Sequence, residues 1–500
     1  MKRNITNLHV VGPYNESRST DVSPQISINL YPDINLSNQK LFLRNTPGSV
    51  LSREVDTGSS THTGRPGGSR VFDGVLYKVL GDKFYSFNSN LVPTLRGTLN
   101  TSTGGVSMAS SGTQIGITDG TDLWAYTPLS GTFVQVLTPG LPPNPDSIIY
   151  KGTYFILLSK NSKIIALSGN NDIFAWDILD RVAFESESDN VVRITSIHQR
   201  VLFLGVYSTE SWYITPQTNA PLARDNNFLF EYGIFSPNSL VKAQGPGGYA
   251  AVFWLSGNSS GPSSVMMTDG GVPIKASNAS IDFVIQELSH QFDISDMVGM
   301  DYVEDGHLFY VMTSKNANTT LVYDVNTREW HKRTSHSGGY HPMVSISFFN
   351  NRQYFSSFND SNIYELSLDY FLDVGETIIR ERVFSPNLSG LPYGYITINE
   401  VELHFQAGVG ISQLPSLIQN QTPVVLGSIP TIRLSVSRDG GTSFGNEHRI
   451  SIGAIGRRDH RCRHRLLGRV QSNRLVFKIS MSDPVPYFLM GGIMHYGILS

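Results

Sequence analysis

Seven stretches of this 500-residue chain share one pattern, a tight turn followed by an apolar or aromatic strand. They are Phe72-Asp73-Gly74-Val75-Leu76-Tyr77, Gly112-Thr113-Gln114-Ile115-Gly116-Ile117, Lys151-Gly152-Thr153-Tyr154-Phe155-Ile156, Gln199-Arg200-Val201-Leu202-Phe203-Leu204, Gly248-Tyr249-Ala250-Ala251-Val252-Phe253, Asp305-Gly306-His307-Leu308-Phe309-Tyr310 and Asn351-Arg352-Gln353-Tyr354-Phe355. Between Gly74 and Arg352 they recur on average about 46 residues apart, inside the range of propeller blades. The spacing predicts a mostly β chain with a β-propeller of six or seven blades over residues 61–375.

Composition supports strands and turns over helices, with 46 Gly, 25 Pro, 22 Tyr and 26 Phe. Trp124, Trp176, Trp212, Trp254 and Trp330 all fall inside the repeat region, where large rings fill the space between blades. Tyr323-Asp324-Val325-Asn326-Thr327-Arg328-Glu329-Trp330 resembles the turn of kelch-type blades. Ile281, Val284, Ile285 and Leu288 recur at helical spacing and predict a helix over 280–292, capped by Ser280 or Asn278 and packed on the propeller's side. Residues 1–60 read as an extended N-terminal arm, and 376–500 as a separate, sandwich-like C-terminal β domain.

Several functional classes are excluded or disfavoured. A net charge of -3 with 16% charged residues is not that of a polyelectrolyte tail, and 40% hydrophobic residues rule out wholesale disorder. No apolar run reaches the length of a spanning helix, and the start lacks a signal-like stretch, so a soluble protein made in a cytoplasm is expected. The single cysteine, Cys462, forms no internal disulfide. No phosphate loop, zinc-protease helix or Cys/His ligand set appears, so neither a cofactor nor a metal is expected, nor any catalytic residue. His331, His336 and His341 are expected to be solvated loop residues.

Two motifs are decoys. Gly257-Asn258-Ser259-Ser260-Gly261 matches a nucleophile elbow by letter, but Pro262 follows where a helix is required. Ser437-Arg438-Asp439-Gly440-Gly441-Thr442-Ser443-Phe444 resembles the Asp box of sialidase-type propellers, a hairpin turn in which Ser437 and Asp439 cap backbone donors, Gly441 takes positive φ and Phe444 packs below.

Charge is distributed unevenly. From 449 to 478, nine basic residues face one acid, Asp459, giving +8; the remaining 29 basic and 40 acidic residues give -11. Arg461, Arg463 and Arg465 alternate, so a strand here carries three guanidinium groups on one face. With Arg457, Arg458 and Arg469 they form a candidate surface for an anionic partner. An acidic subunit surface is favoured over nucleic acid, because a dedicated DNA binder is usually basic overall.

Ordered landmarks along most of the chain resemble the packaged-DNA stabilisation proteins, the tail hub or nozzle proteins of short-tailed bacteriophages. They begin with Ser27-Ile28-Asn29-Leu30-Tyr31-Pro32 and Leu43-Arg44-Asn45-Thr46-Pro47-Gly48. Next come the stretch 199–205, Thr209-Glu210-Ser211-Trp212-Tyr213, Tyr232-Gly233-Ile234 with Ser236-Pro237-Asn238-Ser239, and Ala279-Ser280-Ile281. The last are Ser437-Arg438-Asp439-Gly440, Arg465 through Gly468-Arg469, Leu475-Val476-Phe477-Lys478 and Ser482-Asp483-Pro484. The long loop near Gly408 to Pro430 departs from the pattern.

The resemblance implies a non-enzymatic virion tail protein. It would assemble in the host cytoplasm into a closed homo-oligomeric ring, a hexamer, below the portal and its adaptor. Its other implied partners are needle, tailspike or fibre proteins and packaged DNA, held without sequence specificity; membrane insertion is not implied. The arginine row would then lie at a subunit or adaptor contact, with the arm a strap ordered on assembly. The rival class is a carbohydrate-binding or carbohydrate-cleaving propeller of the tail, and a third is a kelch-like adaptor.

Overall fold

The computed structural model describes residues 3–16, 24–35, 40–184, 189–216, 221–258, 261–388, 394–409 and 429–499. Seven antiparallel sheets follow one another at 64–98, 107–135, 145–183, 191–230, 233–275, 298–332 and 343–367. Their innermost strands neighbour one another in chain order, and the seventh, Met343–Phe349, returns to the first, Gly64–Phe72. The ring is a seven-bladed propeller. Each of the seven sequence repeats supplies the turn into the second strand of one blade.

Apolar clusters fill all seven gaps between blades, and five hold a tryptophan. Trp124 lies between blades 1 and 2, Trp176 between 2 and 3, Trp212 between 3 and 4, Trp254 between 4 and 5, and Trp330 between 5 and 6. The kelch-like turn forms as expected: Asp324 accepts from the Asn326 amide at 3.0 Å, and Arg328 takes φ 60°. Helix α1 (Ala279–Gln291), capped by Asn278, packs on blade 5.

The N-terminal segment is extended but is no free strap. It contributes five strands: β1 (Arg3–Leu8), β2 (Ile26–Ile28), β3 (Leu30–Asn35), β4 (Lys40–Asn45) and β5 (Gly48–Arg53). The C-terminal unit adds β6 (Arg380–Phe384), β7 (Tyr395–Phe405), β8 (Thr431–Ser437), β9 (His448–Ser451), β10 (Cys462–Gln471), β11 (Val476–Met481) and β12 (Phe488–Leu499). One sandwich sheet runs β3-β4-β12-β7-β10, with β1 also on β12. The other runs β6-β11-β8-β9, and β2 joins it to the outer strand of blade 6, making nine continuous strands. β5 pairs with Ile363–Ser367 as the fourth strand of blade 7. The expectation of an arm ordered on assembly is therefore corrected: Leu8, Val10, Leu30 and Leu43 already belong to the sandwich core, and blade 7 is three-stranded without β5.

The turn between β2 and β3 is the joint of the molecule. Asn29 is buried there at φ 55°, a conformation that asparagine tolerates better than most residues. Its amide donates to Lys332 O at 2.9 Å and its carbonyl accepts from Thr46 N at 3.1 Å. Its side chain donates to Thr334 Oγ1 and Ile379 O and accepts from Thr334 N, all within 2.9 Å. One residue thus ties the arm to blade 6 and to the start of the sandwich. Buried Arg382 holds the preceding arm through Val10 O (2.7 Å) and Ser27 Oγ (2.9 Å), while Arg333 of blade 6 holds Pro47 O at 2.7 Å. Gly48 follows because a Cβ there would lie 2.4 Å from Leu372 O.

His307 of blade 6 completes this junction, bonded to Asp324 Oδ2 at 2.8 Å and to Asp33 Oδ1 of β3 at 3.1 Å. Burial opposes its charging, but the two carboxylates outweigh burial and raise its pKa to about 9.

Asn29→Ala should lower unfolding free energy by about 3 kcal/mol, since it strands buried partners and worsens the backbone strain. Asn29→Gly, which relieves φ but loses the side-chain bonds, should fall between Ala and wild type in denaturant titration. Equal stability of all three would remove Asn29 from this role.

A second expectation concerns pH. Because the folded pKa of His307 lies above its ordinary 6.5, its contribution is complete below about pH 6.5 and fades as pH rises through about 9. Lys78, buried and pushed down to about 7, has the opposite slope. The stability difference between wild type and His307→Gln should therefore shrink by on the order of 2 kcal/mol from pH 6 to pH 9.5. A constant difference would refute the charge assignment.

Candidate interaction surface

The arginine-rich segment folds as β10, the edge strand of its sheet. Alternation buries Cys462 and sends Arg463 and Arg465 outward, with Arg461 beside them, so the three guanidinium groups share a face as the spacing predicts. What the sequence reading missed is their neighbours. Glu400 and Glu402 of β7 stand opposite Arg465 and Arg463. Arg461 donates to both oxygens of Glu402, with Nε to Oε1 at 2.9 Å; Arg465 Nε donates to Glu400 Oε2 at 2.8 Å, and Arg463 lies 3.8 Å from Glu400. The hydrogen bond from Arg461 holds the Glu402 carboxyl below its usual range. The period-two pattern Glu400-Val401-Glu402 was the available signal.

Neutralisation is partial. Arg457 reaches Asp459 at 3.8 Å, Arg469 lies over the Tyr395 ring at 4.2 Å, and Arg458 is exposed without an ion-pair partner among the described residues. Six arginines against Glu400, Glu402 and Asp459 leave +3 on this surface. The alternation then breaks at Leu466, whose φ of 60° and 84% exposure set an apolar knob between Arg465 and Arg469. A protruding leucine between Arg465 and Arg469 on a sheet edge is suited to an anionic partner with an apolar socket.

Other expected sites resolve as structure. In the Asp box, the Ser437 hydroxyl accepts from Gly441 N (2.9 Å), Asp439 Oδ1 accepts from Ser443 N (3.0 Å), and Gly441 takes φ 100°. Phe444 is half-buried, with the Lys478 ammonium 4.7 Å from its centroid. The turn joins β8 to β9 in the sandwich, away from the propeller. Only His336 is a solvated loop residue. His331 and His341 are buried, a correction; desolvation, then the nearby Arg333, pushes both down, His331 to about 3. Among the described residues no group of His, Cys, Asp and Glu could hold a metal ion. Ser259, Ser260 and residues 410–428 of the long loop lie outside the described residues; a strand, not a helix, follows at Gly261–Thr268.

Two family models match in tandem, bacteriophage P22 Gp10 β-propeller over residues 7–370 and bacteriophage P22 Gp10 β-sandwich over 381–495. The chain belongs to this phage stabilisation family. The match covers the propeller, the arm strands and the sandwich alike, so the P22 Gp10 architecture accounts for both cores, and the chain is a structural protein of a bacteriophage virion. No helix among the described residues is long and apolar enough to cross a membrane.

No curated protein matches the chain. Among solved structures, the computationally designed Ika8 protein is similar at 12% identity and TM-score 0.39, covering 68% of this chain and 99% of its own. The extracellular domain of the putative one component system BT4673 from B. thetaiotaomicron aligns at 9% identity and TM-score 0.41, over 64% of this chain and 40% of its own. U3-55K aligns at 9% and 0.37, over 64% and 98%.

Exposed ion pairs contribute little to stability. Combined Arg461→Gln, Arg463→Gln and Arg465→Gln should therefore change unfolding free energy by less than about 1 kcal/mol in denaturant titration. A larger loss would make the row a fold element rather than a free surface.

Proposed function

We propose that this P22 Gp10 family member is the tail hub or nozzle, a closed homo-oligomeric ring. It extends the tail channel below portal and adaptor and retains packaged DNA. The observation that carries the reading is the tandem match to both domains of the phage stabilisation family across nearly the whole chain. Such a protein works by fit and buried area, not bond chemistry, and the expected ring is the six-fold one that the resemblance implies. Its subunit contacts are heterologous and closed by rotation.

On this reading the β10 edge, with its excess of guanidinium groups and its Leu466 knob, docks on an acidic surface of the next subunit or of the adaptor. Needle, tailspike or fibre proteins take the lower faces. DNA retention is by closure, without base recognition.

A carbohydrate-active reading has less support. Among the described residues, the cavity of about 390 Å³ between blades 5 and 6 is lined by Tyr249, Tyr323, Lys275 and Arg328 but by no carboxylate, whereas glycoside cleavage ordinarily needs a pair.

Substitution to glutamine tests the docking better than charge reversal, because reversal would crowd five carboxylates onto one face with Glu400 and Glu402. Phage carrying the triple glutamine variant should package DNA but fail to yield complete particles, with the purified variant still folded. In wild-type particles, quantitative mass spectrometry should find this chain at half the portal's copy number or at parity. Normal titres would remove the row from assembly, and complete particles that leak DNA with a flattened salt dependence would place it against DNA. A copy number several times the portal's would indicate peripheral spikes.

A further inference from the structure

The innermost strands of all seven blades enclose an axial cavity of about 640 Å³, a volume within the range of small-molecule sites. Its wall is polar and unevenly charged. Three cations line it: Arg70 of blade 1, Arg193 of blade 4 and Lys242 of blade 5. Arg193 is matched by Asp146, and it also donates to Pro237 O at 3.2 Å. The other two lack such a match. Among the described residues Arg70 is held by neutral acceptors, Ser110 Oγ at 3.0 Å and Met108 O at 3.1 Å. Lys242 has no carboxylate within ion-pair distance among the described residues, and its charge is disfavoured by partial burial first and then by Lys151 and Arg70.

The wall's one carboxylate, Asp301, offsets only one of them. It accepts from the Gln244 amide at 3.3 Å, and burial pushes its pKa up to about 6. Two cations against one carboxylate leave excess positive charge in a narrow well, and an anion with several oxygens would satisfy both the ammonium and the guanidinium.

We propose that the propeller axis is a binding site for a small multivalent phosphate anion, with Lys242 and Arg70 as its charged ligands. It goes beyond the ring reading and does not rest on it: the site lies inside the propeller, away from the β10 edge. The shared chemistry is the phosphate group, supplied free as inorganic phosphate or pyrophosphate, or esterified in a nucleoside triphosphate.

Calorimetric titration of the full chain with inorganic phosphate, pyrophosphate and ATP separates these sources. Saturable one-to-one binding is expected, weakened about tenfold or more by Lys242→Gln and unchanged by Lys315→Gln at an exposed turn of blade 6. ATP binding tighter than pyrophosphate would identify an esterified ligand, and equal affinities the free anion. A second readout needs no variant: pyrophosphate should protect Lys242 of the wild-type chain from acetylation while lysines outside the cavity react. Absence of saturable binding for all three probes, or equal affinity of wild type and Lys242→Gln, would overturn the proposal.

Discussion

Everything in this molecule depends on a short arm segment pairing on two sides at once. β2 hydrogen-bonds to blade 6 on one edge and to β6 on the other, and β5, twenty residues on, closes blade 7. Between them Asn29, Arg333 and Arg382 anchor the turns with buried hydrogen bonds, which are costly to leave half-made. Neither domain is complete alone. The sandwich lacks part of its core without Leu8, Leu30 and Leu43, and the propeller lacks a strand without β5. Propeller closure by a strand from outside the repeats brings the ring's two ends into one sheet, so local opening there requires breaking a continuous ladder.

The blades were legible because a repeat is a redundant signal. Seven weak turn-and-strand patterns agree in spacing, and each tryptophan lands in a gap between blades, as ring size demands. The arm was not legible as structure, because β1, β2 and β5 pair with partners more than three hundred residues away, and only β3 and β4 pair locally with each other. Its landmarks, Ser27 to Pro32 and Asn45 to Gly48, resembled the family without revealing why those residues stand there. Asn29 supplies the reason through its positive φ and Gly48 through its lack of space for a Cβ.

Side-chain environments divided in the same way. The Asp box is a local motif, and its capping bonds form within seven residues, so its turn could be read directly. His331 and His341 looked like members of an evenly spaced loop, yet pairing of Glu329–Lys332 with the neighbouring strand carries His331 into the core, a consequence of tertiary packing alone. The arginine row was half legible: alternation gave the shared face, but the cross-strand carboxylates lie about sixty residues upstream. Counting charge along the chain gave +8 for the segment, whereas the folded surface formed by the six arginines carries +3.

That reduction bears on how such an edge can recognise anything. Fully unpaired arginines would attract any polyanion, including DNA, with long range and little discrimination. Guanidinium groups already oriented by Glu400 and Glu402 present fixed remaining donors, so a partner must match their geometry and accommodate Leu466. The same Glu residues lower the long-range field, which weakens capture of free nucleic acid more than it weakens a shape-matched protein contact. An edge strand flanked by oriented charges and one apolar knob is thus better suited to a partner of fixed shape than to a flexible polyanion.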